Sequence, residues 1–353
     1  MIKFNKKILF IISDLESGGA QRVVSNICNN LIKKNYSIKV LLLSDGKVFY
    51  KLNPKIQILH LNLLNESKSF RRKIYNNIQR ILKIRKIIID QNPNSIVSFI
   101  HNTNILSIIA NLGLKNKIIV SERNNPYIQK TDLYWKVLQT LTYKFCDYIV
   151  VNNYFAHKFF KKTYDNVVTI NNSLTKFDSI KRKKKNNILI VSRHHHQKNI
   201  EIFIKAFSEI HKKFDDWRAI IIGSGVLAEN HKTLSKKLKI NSKILWIADI
   251  KDIAKYYESS KIFCLPSRYE GFSNSLLEAL YFNLDCVVSD SAVAEEDEIN
   301  EFITKFKCNS HDDLKKKIIN AIKYPKIKNK IQKKRFLANF ESDKVIDDWE
   351  KII

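Results

Sequence analysis

Short runs of consecutive apolar residues recur along this chain, each closed by a polar turn. In the first half they fall at residues 8–12, 38–43, 95–100, 117–121 and 148–151. In the second they fall at 188–191, 219–222, 244–247, 261–265 and 286–288. A strand with one wet face alternates apolar and polar residues, whereas a strand of a parallel sheet covered on both faces reads as an unbroken run. Segments of helical periodicity separate most of these runs, the first reaching about Lys34 and the last two expected at 311–324 and from Lys326 onward. Alternating strand and helix signals predict a doubly wound α/β architecture. The alternation stops at Asn171-Asn172-Ser173 and stays absent through Lys181-Arg182-Lys183-Lys184-Lys185-Asn186-Asn187. That polar, aperiodic stretch reads as a linker over 173–187. It separates a first domain over 1–172 from a second over 188–340, with a terminal segment at 341–353.

At 353 residues the chain is long enough for two such cores. Hydrophobic residues make up 44% and charged residues 27%, a globular balance. No apolar run approaches the roughly 18 residues of a membrane span. The N-terminal apolar run is followed at once by Asp14 and has no small-residue cleavage site, which argues against a signal peptide. Cys28, Cys146, Cys264, Cys286 and Cys308 form an odd, scattered set. They read as buried thiols of a reducing compartment, not as disulfides or zinc ligands.

A net charge of +28 favours contact with a polyanion, whether nucleic acid, anionic lipid or a phosphorylated substrate. The position of the charge favours lipid. Residues 67–89 contain Lys68, Arg71, Arg72, Lys73, Arg80, Lys83, Arg85 and Lys86 and no acid. Ile74, Ile78, Ile81, Leu82, Ile84 and Ile88 recur among them at roughly helical spacing. Such a segment either lies on an anionic bilayer or packs its apolar stripe on a sheet. Nucleic acid is disfavoured, since no aromatic-basic interleaving or known module appears.

Candidate chemistry collects at the expected carboxyl ends of the strands, where ligands of open α/β sheets bind. Gly18-Gly19 occupies the first strand-to-helix turn and permits close backbone approach of a phosphate or sugar. Arg193 and Lys198 flank His194-His195-His196-Gln197 after the run ending at Val191. Two cations there suit a diphosphate and the charge it develops on bond cleavage. Three adjacent histidines cannot all face one ion, so a metal site is not expected. His101 closes one strand and Glu122-Arg123-Asn124-Asn125 the next. The richest stretch runs from Pro266 to Leu280. A strand enters it, Glu270-Gly271-Phe272-Ser273-Asn274-Ser275 forms the turn, and Glu278 lies in the helix that follows. The helix N-terminus offers unpaired N–H groups to phosphate, and the two carboxylates suit sugar or ribose hydroxyls. Equally, Ser275 and Glu278 fit a capping box and Glu270 a solvated loop acid.

Taken in order, Gly18-Gly19-Ala20, Ser192-Arg193 with Lys198-Asn199, Pro266-Ser267, and Glu270-Gly271-Phe272 with Glu278-Ala279-Leu280 carry a family resemblance. Over essentially its whole length the chain resembles the retaining glycosyltransferases of the GT4 type, whose signature is a pair of Glu eight positions apart. The resemblance implies a GT-B fold of two facing Rossmann-like domains with a cleft between them, and a terminal helix at 341–353 that crosses back to the first domain. It implies that Arg193 and Lys198 bind the donor pyrophosphate, Glu270 the donor sugar and Glu278 the ribose. Backbone N–H groups of Ser273, Asn274 and Ser275, beside Gly271 and Phe272, would cradle phosphate, and the Gly18-Gly19 loop would close the site. His101 matches the position of a His or Asp near the reacting sugar. No cofactor or divalent metal is implied beyond the nucleotide sugar. The chain departs from the family in lacking glycine after Gly271, notably in Ser291-Ala292-Val293-Ala294-Glu295-Glu296-Asp297-Glu298-Ile299, where relatives are Gly-rich. Ser192 and Ala248 also stand where relatives often carry Gly.

The expected function is transfer of a hexose or N-acetylhexosamine from a nucleotide sugar, UDP-linked by expectation, to a lipid-linked or surface-glycan acceptor. The expected place is the inner face of a bacterial cytoplasmic membrane. The alternatives are a nucleotide-sugar epimerase of the same fold and a non-catalytic sugar- or polyanion-binding protein.

Overall fold

The computed structural model describes the chain except residues 1–5, 17, 64–68, 129–130, 175–176, 178–181, 249, 251 and 326–329. Part of the expected linker, and Lys68 of the basic segment, therefore lie outside the described residues. The chain divides into two compact units, Met1–Ser173 with Ser342–Ile353, and Leu174–Glu341.

The first unit runs β1 (Lys7–Ile12), α1 (Gly19–Leu31), β2 (Ser37–Leu42), β3 (Gln57–His60), α2 (Phe70–Gln91), β4 (Ser95–Phe99), α3 (His101–Asn111), β5 (Lys117–Glu122), α4 (Leu133–Thr142), β6 (Tyr148–Val151), α5 (Tyr154–Phe160) and β7 (Val167–Thr169). Its seven-stranded sheet has the order β3-β2-β1-β4-β5-β6-β7, with every pairing parallel. Alternate residues of β1 feed the two faces. Ile8, Phe10 and Ile12 enter one core, while Leu9 and Ile11 enter the other. Both faces are dry, which is why the strand reads as an apolar run.

The second unit runs β8 (Lys185–Val191), α6 (Ile200–His211), β9 (Arg218–Ile222), α7 (Ala228–Lys237), β10 (Ile244–Ile247), α8 (Ala254–Ser259), β11 (Ser260–Leu265), α9 (Asn274–Tyr281), β12 (Asp285–Ser289), β13 (Ile303–Phe306), α10 (His311–Lys323) and α11 (Lys330–Ala338). Its six strands, again all parallel, take the order β10-β9-β8-β11-β12-β13. In each sheet the strand order reverses once, between β1 and β4 and between β8 and β11. Loops leaving adjacent strands to opposite sides open a crevice at such a switch point.

Three strands carry no apolar run. β3, β7 and β13 are edge strands with half-exposed residues, so their sequence is mixed. At the C-terminus, the helical stretch expected from Lys326 onward is broken in two, the second part lying within the terminal helix that the resemblance implies at 341–353. α11 ends at Ala338, Phe340 turns inward against Phe272 and Phe336, and α12 (Ser342–Glu350) begins. The break lets Phe340 join the core of the second unit while Val345, Ile346 and Trp349 enter that of the first.

The segment after Asp290 folds without glycine. Ala292, Val293 and Ile299 are buried, and the Asn300 amide donates to the Ala294 and Glu295 carbonyls at 2.8 Å each. The four cysteines Cys28, Cys146, Cys264 and Cys286 are buried, and burial pushes the Cys146 thiol up to about 12. No helix among the described residues is long and apolar enough to cross a membrane.

Candidate active site

In the second unit, β8 and β11 are neighbours although far apart in sequence. Their carboxyl-end loops therefore meet. Lys198 Nζ donates to Glu270 Oε1 at 2.6 Å across 72 residues of chain, and Ser267 Oγ donates to the same oxygen at 2.6 Å. Two bonds lock the loops together: Arg268 backbone N–H donates to the Gln197 backbone carbonyl at 2.8 Å, and the Gln197 side-chain amide Nε2 to the Tyr269 carbonyl at 2.9 Å. Glu270 is 5% exposed, so it is no solvated loop acid. A carboxyl group taken out of water is costly unless it is hydrogen-bonded and paired, and Glu270 has both partners. Arg193 differs. It is exposed, and its guanidinium has no partner among the described residues.

The loop bearing Arg193 rests on Gly223 and Gly225. Both have positive φ, 142° and 148°, and a Cβ on either would meet the Ser192 or His194 carbonyl at 2.1 or 2.6 Å. The backbone approach leaves no room for a side chain. Sequence reasoning passed over this pair, although two of only seven glycines, separated by a single residue at a strand end, are a signal. Of the three adjacent histidines, His194 is buried with its Nδ1 2.8 Å from Nδ1 of His231. Burial, reinforced by His194, pulls His231 down to about 4, so it is neutral at neutral pH. His195 instead caps the short turn over His196–Lys198 by accepting from the Gln197 N–H. One trio, Glu209, His311 and Asp312, has metal-like spacing. Lys315 already lies 2.7 Å from Glu209 and 2.9 Å from Asp312 and neutralises it.

α9 begins at Asn274, and its cap is Ser273, whose Oγ accepts from the Leu276 N–H at 3.3 Å. Glu278 is therefore the fifth helical residue, too far along for the capping box expected with Ser275, which needs the third. It is 2% exposed, on the buried side of the helix. Ser275 follows Asn274 in the first turn, where N–H groups lack intrahelical acceptors. Gly271 and Phe272 are half-buried in the loop, Phe272 against Phe340 with ring centroids 5.5 Å apart. The acidic turn at 296–298 is not uniformly exposed. Glu296 and Glu298 are exposed, but Asp297 caps the turn that follows, accepting from the Ile299 N–H at 3.0 Å, and burial raises its pKa.

Gly18, Gly19 and His101 lie in the first unit. Gly18 is extended, with φ of −177°, and α1 starts at Gly19. Asp14 organises the preceding loop by accepting from the Ser13 hydroxyl at 2.7 Å and the Gln21 amide at 2.9 Å. His101 opens α3 directly after Ile100, whose φ of 76° is rare for a β-branched residue and costs about 1–3 kcal/mol. His101 is 7% exposed, and its Nδ1 lies 3.3 Å from Oε1 of the buried Glu122.

The glycosyl transferases group 1 family matches residues 172–336. The chain is 27% identical, over 98% of its own length and 98% of the relative's, to a GalNAc-alpha-(1->4)-GalNAc-alpha-(1->3)-diNAcBac-PP-undecaprenol alpha-1,4-N-acetyl-D-galactosaminyltransferase of Campylobacter jejuni. Among solved structures it resembles sucrose-phosphate synthase from Thermosynechococcus elongatus, with a TM-score of 0.83, 13% identity and 98% coverage of both chains. It also resembles Anabaena HepE in complex with UDP, with a TM-score of 0.74, 13% identity and 98% coverage of both. Two parallel Rossmann-like units and these likenesses give the chain the GT-B fold, and its second unit, which holds Lys198 and Glu270, is a glycosyltransferase domain of group 1.

Proposed function

We propose that this glycosyltransferase moves a hexose or N-acetylhexosamine from a UDP-linked donor to a lipid-linked glycan, with retention at the anomeric carbon. The observation that carries the reading is the ion pair of half-buried Lys198 with buried Glu270 beside the N-terminus of α9. Arg193, Lys198 and the first N–H groups of α9 supply positive potential for a diphosphate. Glu270 then accepts from donor-sugar hydroxyls and Glu278 from the ribose. In the reaction the anomeric C–O bond breaks and the leaving diphosphate takes its electron pair. The acceptor oxygen bonds to the same face of the sugar, and its proton passes to the departing phosphate oxygen. Lys198, already held in place by Glu270, stabilises that developing charge without reorganising. His101 is assigned to the sugar end of the reaction, through a hydrogen bond from a hydroxyl. No cofactor or metal is assigned a step. The UDP complex of HepE supports the choice of nucleotide, and the undecaprenol-linked acceptor named for the Campylobacter relative supports the acceptor class.

A panel of UDP, GDP, ADP, CMP and UDP-sugars tests the donor assignment by thermal shift. UDP and one UDP-sugar are expected to raise the melting temperature, since ligand at about 100 times its dissociation constant adds about 2.7 kcal/mol. Arg193→Ala and Lys198→Ala are expected to reduce that shift. No response to any nucleotide would sink the assignment.

The acceptor reading extends to an anionic membrane surface through α2. The apolar residues counted as one stripe in the sequence lie on two faces. Ile84 and Ile88 are fully buried, whereas Tyr75, Ile78, Leu82 and Ile89 are 60%, 48%, 55% and 56% exposed. Arg71, Arg72, Lys73, Lys83 and Lys86 are exposed around that outer face. α4 presents a comparable face, with Leu133, Val137 and Leu141 exposed. Not every cation is available. Arg85 Nη1 donates to the carbonyls of Ala110 and Leu112 at 3.0 and 2.7 Å, and Arg80 donates to that of Leu63, so both are structural. Replacing Arg71, Arg72, Lys83 and Lys86 by Glu is expected to abolish sedimentation with phosphatidylglycerol vesicles, each cation being worth about 1 kcal/mol near such a surface. Unchanged sedimentation would remove the membrane role from α2.

A further inference from the structure

Four side chains from three parts of the fold meet at one carboxylate oxygen. Glu122 ends β5, Asn104 and His101 come from the first turn of α3, and Tyr143 follows α4. One oxygen, Glu122 Oε1, is approached by three donors: the Tyr143 hydroxyl, the Asn104 amide at 3.3 Å and His101 Nδ1 at 3.3 Å. All four residues are buried, with Tyr143 and Asn104 at 0%, Glu122 at 4% and His101 at 7%. An ionised carboxylate only accepts, so the imidazole nitrogen facing it must carry the proton. Burial, then the Glu122 charge, pushes the Tyr143 phenol well above its ordinary value, so it stays a donor. The Gln139 amide reaches the same Nδ1 at 3.4 Å, and a half-turn of that amide presents its oxygen.

The consequence falls on the other ring nitrogen. In the tautomer that carries its proton on Nδ1, Nε2 holds a bare lone pair. That atom is buried and has no hydrogen-bond partner among the described residues. A buried acceptor left unpaired is costly and calls for an explanation. The strained backbone of Ile100 immediately before it is a second sign that the ring is held in place for use.

We propose that Glu122, backed by Tyr143 and Asn104, is a positioning residue that fixes His101 as the Nδ1–H tautomer, so that Nε2 accepts a hydrogen bond from a hydroxyl of the substrate. The proposal rests on the assignment of His101 to the sugar end of the reaction. Glu122 touches no substrate; it acts only through the ring.

The test uses the full chain and Glu122→Gln, which keeps the side-chain volume and removes the charge. Nitrogen-15 NMR of histidine-labelled protein reads the tautomer, with the His101 signals assigned by their loss in His101→Gln. Hydrolysis of the UDP-sugar that gives the largest thermal shift reads turnover. In the wild type His101 is expected as Nδ1–H alone. In Glu122→Gln the Nε2–H tautomer is expected to appear and kcat to fall at least roughly tenfold, with donor KM changed less than about threefold, the pattern of an interaction made chiefly in the transition state. A His101 that stays Nδ1–H in the variant, or an unchanged kcat, overturns the proposal. His101→Ala separates the two levels. If His101→Ala keeps full turnover, the assignment of His101 itself fails. If His101→Ala is inactive while Glu122→Gln is not, only the positioning role fails.

Discussion

Glu270→Gln is expected to lower turnover on the order of 100-fold, the rate equivalent of one charge-assisted hydrogen bond of ~1.5–3 kcal/mol lost from the transition state. Gln keeps the volume at a site that is 5% exposed, so the fold should survive. What changes is the charge. The carboxylate oxygen that takes Lys198 Nζ and Ser267 Oγ, each at 2.6 Å, becomes a neutral acceptor. Lys198 then loses its anchor and the donor sugar loses an ionised acceptor. Glu270→Ala is harsher, because it strands the ammonium without a partner and costs stability as well. A double-mutant cycle with Lys198→Ala adds a distinct reading. Residues that share one oxygen act as a unit, so the double variant should be much less impaired than the product of the two single losses. Wild-type turnover in folded Glu270→Gln would remove Glu270 from the chemistry. Full additivity would leave both residues active but independent.

How far the sequence discloses such a pair depends on the physics of each part. Glu270 and Lys198 each stand at the end of an apolar run, and a strand buried on both faces writes itself as such a run. Their contact depends on β8 and β11 being adjacent across the switch point, and spacing along the chain carries no trace of that pairing. The edge strands β3, β7 and β13 leave no run because half of each is wet. In α2 the apolar count was right and the geometry was not. Positions 75, 78, 82 and 89 lie on one side of a helix of 3.6 residues per turn, and 77, 84 and 88 on the other, so a single tally merged a core face with an exposed one. The cap of α9 shows the same limit at smaller scale. Ser273 and Ser275 both fit the composition of a cap, and only the backbone tells which begins the helix. Glu122 was visible as a polar residue ending a strand. Its three donors arrive from α3 and from the turn after α4, which no local pattern relates.

Trp349→Ala is expected to cost about 3–5 kcal/mol in the first unit, the range for deleting a large buried aromatic side chain. Trp349 is fully buried and is contributed by α12, the last helix of the chain. Its ring lies 6.0 Å from that of Phe99 and 5.8 Å from the Arg123 guanidinium, which also sits 5.2 Å from Phe99. Burial lowers Arg123 from its ordinary value, with Glu122 opposing, so the aromatic faces and the bond to the Asn172 amide oxygen at 2.9 Å hold a costly cation in place. Removing the indole exposes that cation and opens a void against β4, directly before Ile100 and His101. Trp349→Phe should cost less, under about 1.5 kcal/mol, since it keeps an aromatic ring and removes an indole N–H that is buried without a partner among the described residues. Hydrogen exchange read by peptide localises the effect. In Trp349→Ala, β1 and β4 should lose protection while β8 and β11 keep theirs, because α12 belongs to the first unit. Equal loss in both units would mean that the two sheets unfold as one, and unchanged protection of β1 and β4 would mean that α12 is not part of their core.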